Sequence, residues 1–223
     1  MAPTGTFYGD RRQRQTKVIQ AVAAIAGLEL EIAPFEFGVT NKSPEFLTKF
    51  PLGKIPAFER KDGFTLTEGA AIARYLSSVA PESGLLGSSI EEAAKIDQWI
   101  HFAETEIQNY TDRVYALVEG MTGDYNKAAH DVLVKNQLRG LNYLEAYLST
   151  HTFLINESIT LADVTLAATI GRTVGVTLGA AERATFPHII AFFEKVTQDS
   201  RIAPAFGNFE RVEVSVAFKE KTA

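Results

Sequence analysis

A chain of 223 residues with 46% apolar side chains can bury one large core or two small ones, which points to a globular protein. Its 22 basic and 27 acidic residues give a net charge of -5 with no basic block, so nucleic acid and anionic membranes are not expected partners, whereas small molecules and proteins are. It has no cysteine, which removes disulfides, thiolate metal sites and a protein thiol as nucleophile; sulfur chemistry here would need a thiol that the ligand brings. No apolar run approaches the roughly 20 residues of a bilayer span, and the first residues lack the basic-then-apolar order of a secretory signal, so a cytoplasmic location is expected.

In chain order, "TGTFYG" reads as a strand, "RQTKVIQAVAAIAG" as an amphipathic helix ending at Gly27, and "LELEIAPF" as a second strand with apolar positions at period two. That opening is βαβ. A polar loop containing "NKSPEFLTKF" follows, then a strand at "PAFER", a tight turn at Asp62-Gly63, a strand at "FTLT" and a helix from Glu68 to about Val79. Strands joined by so short a turn run antiparallel. After the turn-rich "APESGLLGSS" the period is helical throughout, in "IEEAAKIDQWIHFAETEIQNYTDRVYALVEG", "NKAAHDVLVKNQLRGLNYLEAYLST", "LADVTLAATIGRTV" and "FPHIIAFFEKV". The expected architecture is an α/β unit, βαβ-ββα, over about residues 1–80, an all-α domain over about 90–207, and a frayed tail over 208–223.

Ile55-Pro56 stands where the third strand should begin. Proline is tolerated at a strand's first position; a cis bond there would also leave the Ile55 N–H and C=O outside the ladder, free to pair with an extended ligand. Glu68 opens a helix beside the N–H groups of Gly69 and Ala70, so one place offers a carboxylate to an amine and amides to a carboxylate. A ligand carrying both ends of an amino acid suits it.

These residues carry a resemblance. The βαβ-ββα unit with "PLGKIPAF", "DGFTLTE" and "AIARYL", joined to an all-α domain, resembles the cytosolic glutathione transferases across nearly the whole chain, with a thioredoxin-like first domain. Within that superfamily "TNKSPEFLTKFPLGKIPAFERKDGF", "TFLINESITLADVTLA" and "FPHIIAFFEKV" are most similar to the transferase-like amino-terminal part of the translation elongation factor 1 gamma subunit. The resemblance implies glutathione as co-substrate, with Ile55 and Pro56 clamping the cysteinyl part by backbone, Glu68 meeting the γ-glutamyl amine, and Lys54 and Asn41 at the glycine carboxylate. It also implies a homodimer that buries the flank of the third helix around Ala71, Arg74 and Tyr75 against the partner's fourth helix. One departure is Gly69, where the superfamily usually has serine; losing that hydroxyl should cost about 1 kcal/mol of glutathione binding.

A thiol with pKa near 8.5 is only a few per cent thiolate at neutral pH, so a transferase needs a donor or cation beside the sulfur. On an ungapped alignment the position of the superfamily's catalytic serine falls on Arg12, and Tyr8 matches the tyrosine of other classes after a one-residue gap. Either could hold a thiolate, Arg12 by charge and N–H donation, Tyr8 by its hydroxyl. Thr160 and Asp163 have the spacing of a helix cap and are assigned to folding. His101, His130, His151 and His188 show no ligand spacing, and no metal site is expected. Trp99 and Phe102 read as core or dimer contacts, and Tyr110 and Tyr115 as core or as the lining of an apolar acceptor pocket.

Two readings of function follow. One is an enzyme that conjugates glutathione to, or uses it to cleave, an apolar electrophile. The other is an interaction module that binds elongation factor 1 subunits and keeps a weak or vestigial glutathione site. The resemblance leaves open whether the chain is a stand-alone enzyme or a domain of a longer gamma subunit.

Overall fold

The computed structural model describes residues 3–217. Among them the chain divides into two compact units. One runs up to Ser89 and takes in Asp199–Gly207; the other holds Ile90–Gln198 and the stretch from Asn208 onward.

The first unit begins with β1 (Gly5–Tyr8), α1 (Arg14–Ile25) and β2 (Leu30–Ile32), continues through α2 (Pro44–Lys49), and ends with β3 (Ala57–Glu59), β4 (Thr65–Thr67) and α3 (Gly69–Val79). The sheet order is β2-β1-β3-β4, with β1 parallel to β2 and antiparallel to β3, and β3 antiparallel to β4 across a turn in which Gly63 has φ 88°. This is the expected βαβ-ββα order.

Register decides which side chain goes where. Phe7 faces Phe58 and Tyr8 faces Ala57, and period-two alternation sends these pairs to opposite sides of the sheet. Phe7 and Phe58 are fully buried on the side where α1 packs on α3. Tyr8 and Ala57 lie on the other side, where Phe46 and Phe50 of the α2 segment cover them. α2 forms inside what the sequence reads as a polar loop because Ser43 accepts from the Phe46 N–H at 3.2 Å, Pro44 fills the first helical position, and Phe46 and Phe50 fall one turn apart on the buried face.

The second unit is helical: α4 (Ile90–Phe102), α5 (Asn109–Val118), α6 (Lys127–Leu148), α7 (Leu161–Val174), α8 (Ala180–Ala184) and α9 (Pro187–Thr197). A last short helix, α10 (Ala203–Phe206), belongs to the first unit and packs on α1. The long helix expected from Ile90 onward is continuous, but one wide π turn, Ala103–Gln108, separates α4 from α5. There the Glu106 carbonyl approaches α6 so closely that a Cβ on Gly140 would stand 2.9 Å from it, and only glycine fits. Arg139 next to it donates to Glu106 at 2.6 Å. Trp99 is buried against Phe102 and Tyr147; Tyr110 packs on the Val114, Leu117 and Leu133 cluster, and Tyr115 lies under the Arg172 guanidinium.

α7 is buried along almost its whole length, and its start is held by Asp163, which is fully buried. The Asp163 carboxylate accepts from the Leu154 N–H and the Thr160 N–H, each at 2.8 Å, and from the Thr160 hydroxyl at 2.6 Å. Burial pushes this carboxyl up and the three donors pull it down, burial prevailing. The capping role read from the sequence is the one these contacts perform.

The tail differs from expectation. Residues 208–217 are docked: Val212 and Val216 donate to the Val174 and Val176 carbonyls, Ala180 donates to the Glu213 carbonyl, and Val216 packs on the Val114 cluster. The segment is held by backbone pairing and by Ser215, whose hydroxyl donates to the Thr177 carbonyl at 2.9 Å, while Val214 stays exposed. Residues 218–223 of the expected tail lie outside the described residues.

On the α2 side of the sheet the Tyr8 hydroxyl donates to Glu59 at 2.8 Å, and Lys49 donates to the same carboxylate at 3.0 Å. Burial and the Glu59 carboxylate push the Tyr8 phenol from its ordinary 10.0 up to about 12. A phenol that holds its proton more tightly when folded contributes stability that is complete below pH 10 and is lost as pH rises towards 12. In a spectrophotometric titration Tyr8→Phe should therefore remove a phenolate step near pH 12. Asp163→Ala leaves two buried N–H groups unpaired, at about 1–3 kcal/mol each, and should lower the melting temperature by roughly 4–24 °C in calorimetry.

Candidate functional site

β3 begins at Ala57, and the preceding Ile55-Pro56 bond is cis, as read from the sequence. Ile55 stands outside the ladder: among the described residues its N–H and C=O have no hydrogen-bond partner. It lines a pocket of about 190 Å³ within the first unit. Phe50, Pro51, Leu52 and Lys54 come to this pocket from the loop between α2 and β3, Thr67, Glu68 and Gly69 from the end of β4 and the start of α3, and Gln15 from α1.

Glu68 has φ 67° and ψ 117°, the one positive φ on a residue other than glycine among those described. Such a conformation costs of order 1–3 kcal/mol and persists only where the surroundings hold it, which is characteristic of binding sites. Here the hold comes from both sides. β4 ends at Thr67, and the Glu68 carbonyl accepts from the Ile72 N–H at 3.0 Å, the first bond of α3. The Glu68 side chain makes no cap bond to its own helix. Among the described residues neither this carboxylate nor the Lys54 ammonium has a hydrogen-bond or ion-pair partner. One small hollow thus combines an unpaired anion, an unpaired cation, the N–H groups at a helix start and an open stretch of strand-like backbone. The hollow suits an extended, zwitterionic peptide.

The remaining residues singled out in the sequence are elsewhere. Asn41 is buried at 7% exposure outside the pocket lining, and its amide is spent on backbone: it accepts from the Gly38 N–H at 2.6 Å and donates to the Gly53 carbonyl at 2.9 Å. It buckles the loop that carries Lys54. Tyr8 does not line the pocket either, its hydroxyl being engaged by Glu59. Arg12 is 88% exposed and forked onto Asp10, with Nε 3.0 Å from Oδ1 and Nη2 2.5 Å from Oδ2. That guanidinium holds the Asp10 carboxyl below its ordinary range. Gln15 is in the pocket with no warning in the sequence, since nothing local marks it; only the fold brings α1 against the start of α3.

Comparison with known proteins bears on this geometry. The description "Glutathione S-transferase, N-terminal domain" matches residues 3–78, and "Glutathione S-transferase, C-terminal domain" matches residues 105–199. A glutathione S-transferase-like protein, FUS3, of Gibberella fujikuroi is 37% identical over 190 residues, which cover 85% of this chain and 90% of that protein. Human elongation factor 1-gamma is 36% identical over 187 residues, 84% of this chain but 42% of the factor, so the chain spans less than half of that relative's length. Among solved structures the GST-like domain of elongation factor 1-gamma from Saccharomyces cerevisiae superposes with a TM-score of 0.86 at 24% identity, covering 99% of this chain and 100% of that one. That likeness concerns the fold. Because two domain models span most of its length and a relative matches nearly end to end, this chain belongs to the glutathione S-transferase family.

Proposed function

We propose that the chain binds glutathione in the pocket of the first unit and transfers it to apolar electrophiles. The observation that carries the reading is the pairing, in one 190 Å³ hollow, of the strained and unpartnered Glu68 with the open backbone of Ile55. Glu68 receives the γ-glutamyl amine, the start of α3 at Gly69 receives the neighbouring carboxylate, and the Ile55 backbone, bent by Pro56, pairs with the cysteinyl unit. Lys54 meets the glycine carboxylate. Asn41 acts on that end through the loop, by fixing Gly53 beside Lys54.

For the thiol the proposal is Arg12 rather than Tyr8. A phenol near pKa 12 that already donates to Glu59 has little to give a sulfur. The Arg12–Asp10 pair is a solvent-exposed ion pair, screened by water and salt, so releasing the guanidinium towards a bound thiolate costs little. An interaction module for elongation factor 1 subunits is the second reading. What favours it is that neither thiol-activating candidate lines the pocket, together with the match to the elongation factor's amino-terminal part.

Glu68→Gln keeps the side-chain shape and removes a charge-assisted bond, so calorimetry should show glutathione affinity falling about tenfold or more at an unchanged melting temperature. Unaltered affinity would place the amine elsewhere. Arg12→Leu should leave affinity nearly unchanged while the absorbance of the bound thiolate, followed against pH, moves towards the titration of free glutathione and conjugation at neutral pH declines. A wild-type complex whose thiol titrates like free glutathione would favour the interaction module.

A further inference from the structure

Gly69 is the first residue of α3, and an ideal Cβ built on it falls 2.7 Å from both Cβ and Cγ of Gln15 and 3.4 Å from Cγ of Pro56. Real Cβ atoms do not come that close. The obstacle is the stem of Gln15, not its flexible end, and that stem is fixed by the first turn of α1. Residue 69 is therefore glycine because Gln15 covers it. Gln15 lines the pocket, and among the described residues its carboxamide has no hydrogen-bond partner. A half-buried amide left free beside an unpaired carboxylate and a helix start can donate from Nε2 and accept at Oε1.

We infer that Gln15 is a specificity-determining residue of this pocket, its Nε2 donating to the ligand carboxylate that sits at the start of α3 next to the amine held by Glu68. The inference rests on the glutathione reading given above. It replaces the idea that glycine at 69 merely weakens the site: the hydroxyl missing from residue 69 is exchanged for an amide from a different helix, and the two cannot be present together. Gly69 and Gln15 form one unit, and a ligand whose amine lacks a neighbouring carboxylate is discriminated against by Gln15 together with the N–H groups at the start of α3.

The test is a titration calorimetry cycle with glutathione and with an analogue in which the γ-glutamyl group is replaced by 4-aminobutyryl, which keeps the amine and lacks its carboxylate. Gln15→Ala should weaken glutathione about tenfold and leave the analogue unaffected. Gly69→Ser should weaken glutathione in the wild-type background, and combining it with Gln15→Gly, which removes the obstructing Cβ as well as Cγ, should recover affinity, because the serine then has both space and ligand. Melting temperatures of the three variants separate these effects from loss of fold. If Gln15→Ala leaves glutathione affinity intact while Glu68→Gln lowers it, or if it weakens both ligands equally, the assignment of Gln15 is overturned and the glutathione reading stands. If the wild type binds neither ligand, the glutathione reading itself falls, and the inference with it.

Discussion

Glu68 sits in a backbone conformation that a residue with a side chain adopts only under constraint, and much of the first unit is arranged so as to hold it there. β4 delivers the chain to Thr67 and α3 takes it up again at Gly69, so the turn between them has no slack. The register that buries Phe7 and Phe58 on one side of the sheet and Tyr8 and Ala57 on the other fixes β3 and hence Ile55 just before it. α1, packed on α3 from the same side, brings Gln15 over Gly69. A pocket whose groups come from three separate segments is thereby set by the same contacts that make the core, which is why its geometry needs no flexible closure to exist.

What the sequence could say about this depended on how local each cause is. β1, α1, the β3-β4 hairpin and α3 announce themselves through period, through Asp62-Gly63 and through Gly27, all of which are short-range signals. α2 was announced as well, by Ser43 followed by Pro44 and Glu45 with Phe46 and Phe50 a turn apart, but six residues are too few for period to speak, and polar composition suggested a loop. The π turn at Ala103–Gln108 leaves the apolar pattern almost intact, and its one trace is Gly140 in a different helix. The docking of 208–217 depends on the backbone edge offered by Val174 and Val176, which no reading of the tail alone can supply.

The site divides along the same line. Ile55, Pro56 and Glu68 belong to recognisable local frames, a strand start and a helix start, and the structure puts them in one hollow with Lys54. Tyr8 and Arg12 were read from their place after the first strand, but where their side chains go is decided by Glu59 in another strand and by Asp10 two residues away. Asn41, buried with both ends of its amide bonded to backbone, illustrates a general preference: a buried polar side chain spends itself on the nearest unsatisfied backbone groups before it reaches for a ligand. Gln15 is the converse, a polar group of an ordinary helix face that becomes part of a pocket through a long-range contact.

Binding and chemistry are consequently separable properties of this fold. The groups suited to hold a peptide are built into strand and helix ends and are paid for by the core. The group that would activate a thiol has no such anchorage: the Arg12 guanidinium is exposed, and its pairing with Asp10 is the weak, salt-screened kind. A lineage can then gain or lose catalysis by changes in the short segment between β1 and α1 without disturbing the pocket or the sheet. The segment "GDRRQRQ" carries three arginines within reach of the pocket's helix in sequence, but only Gln15, at its end, is fixed in the pocket by packing. A side chain at 69 would thus require a change at 15, because its Cβ would stand 2.7 Å from the Gln15 stem, whereas Arg12, exposed and paired with Asp10 two residues away, can change without disturbing the core.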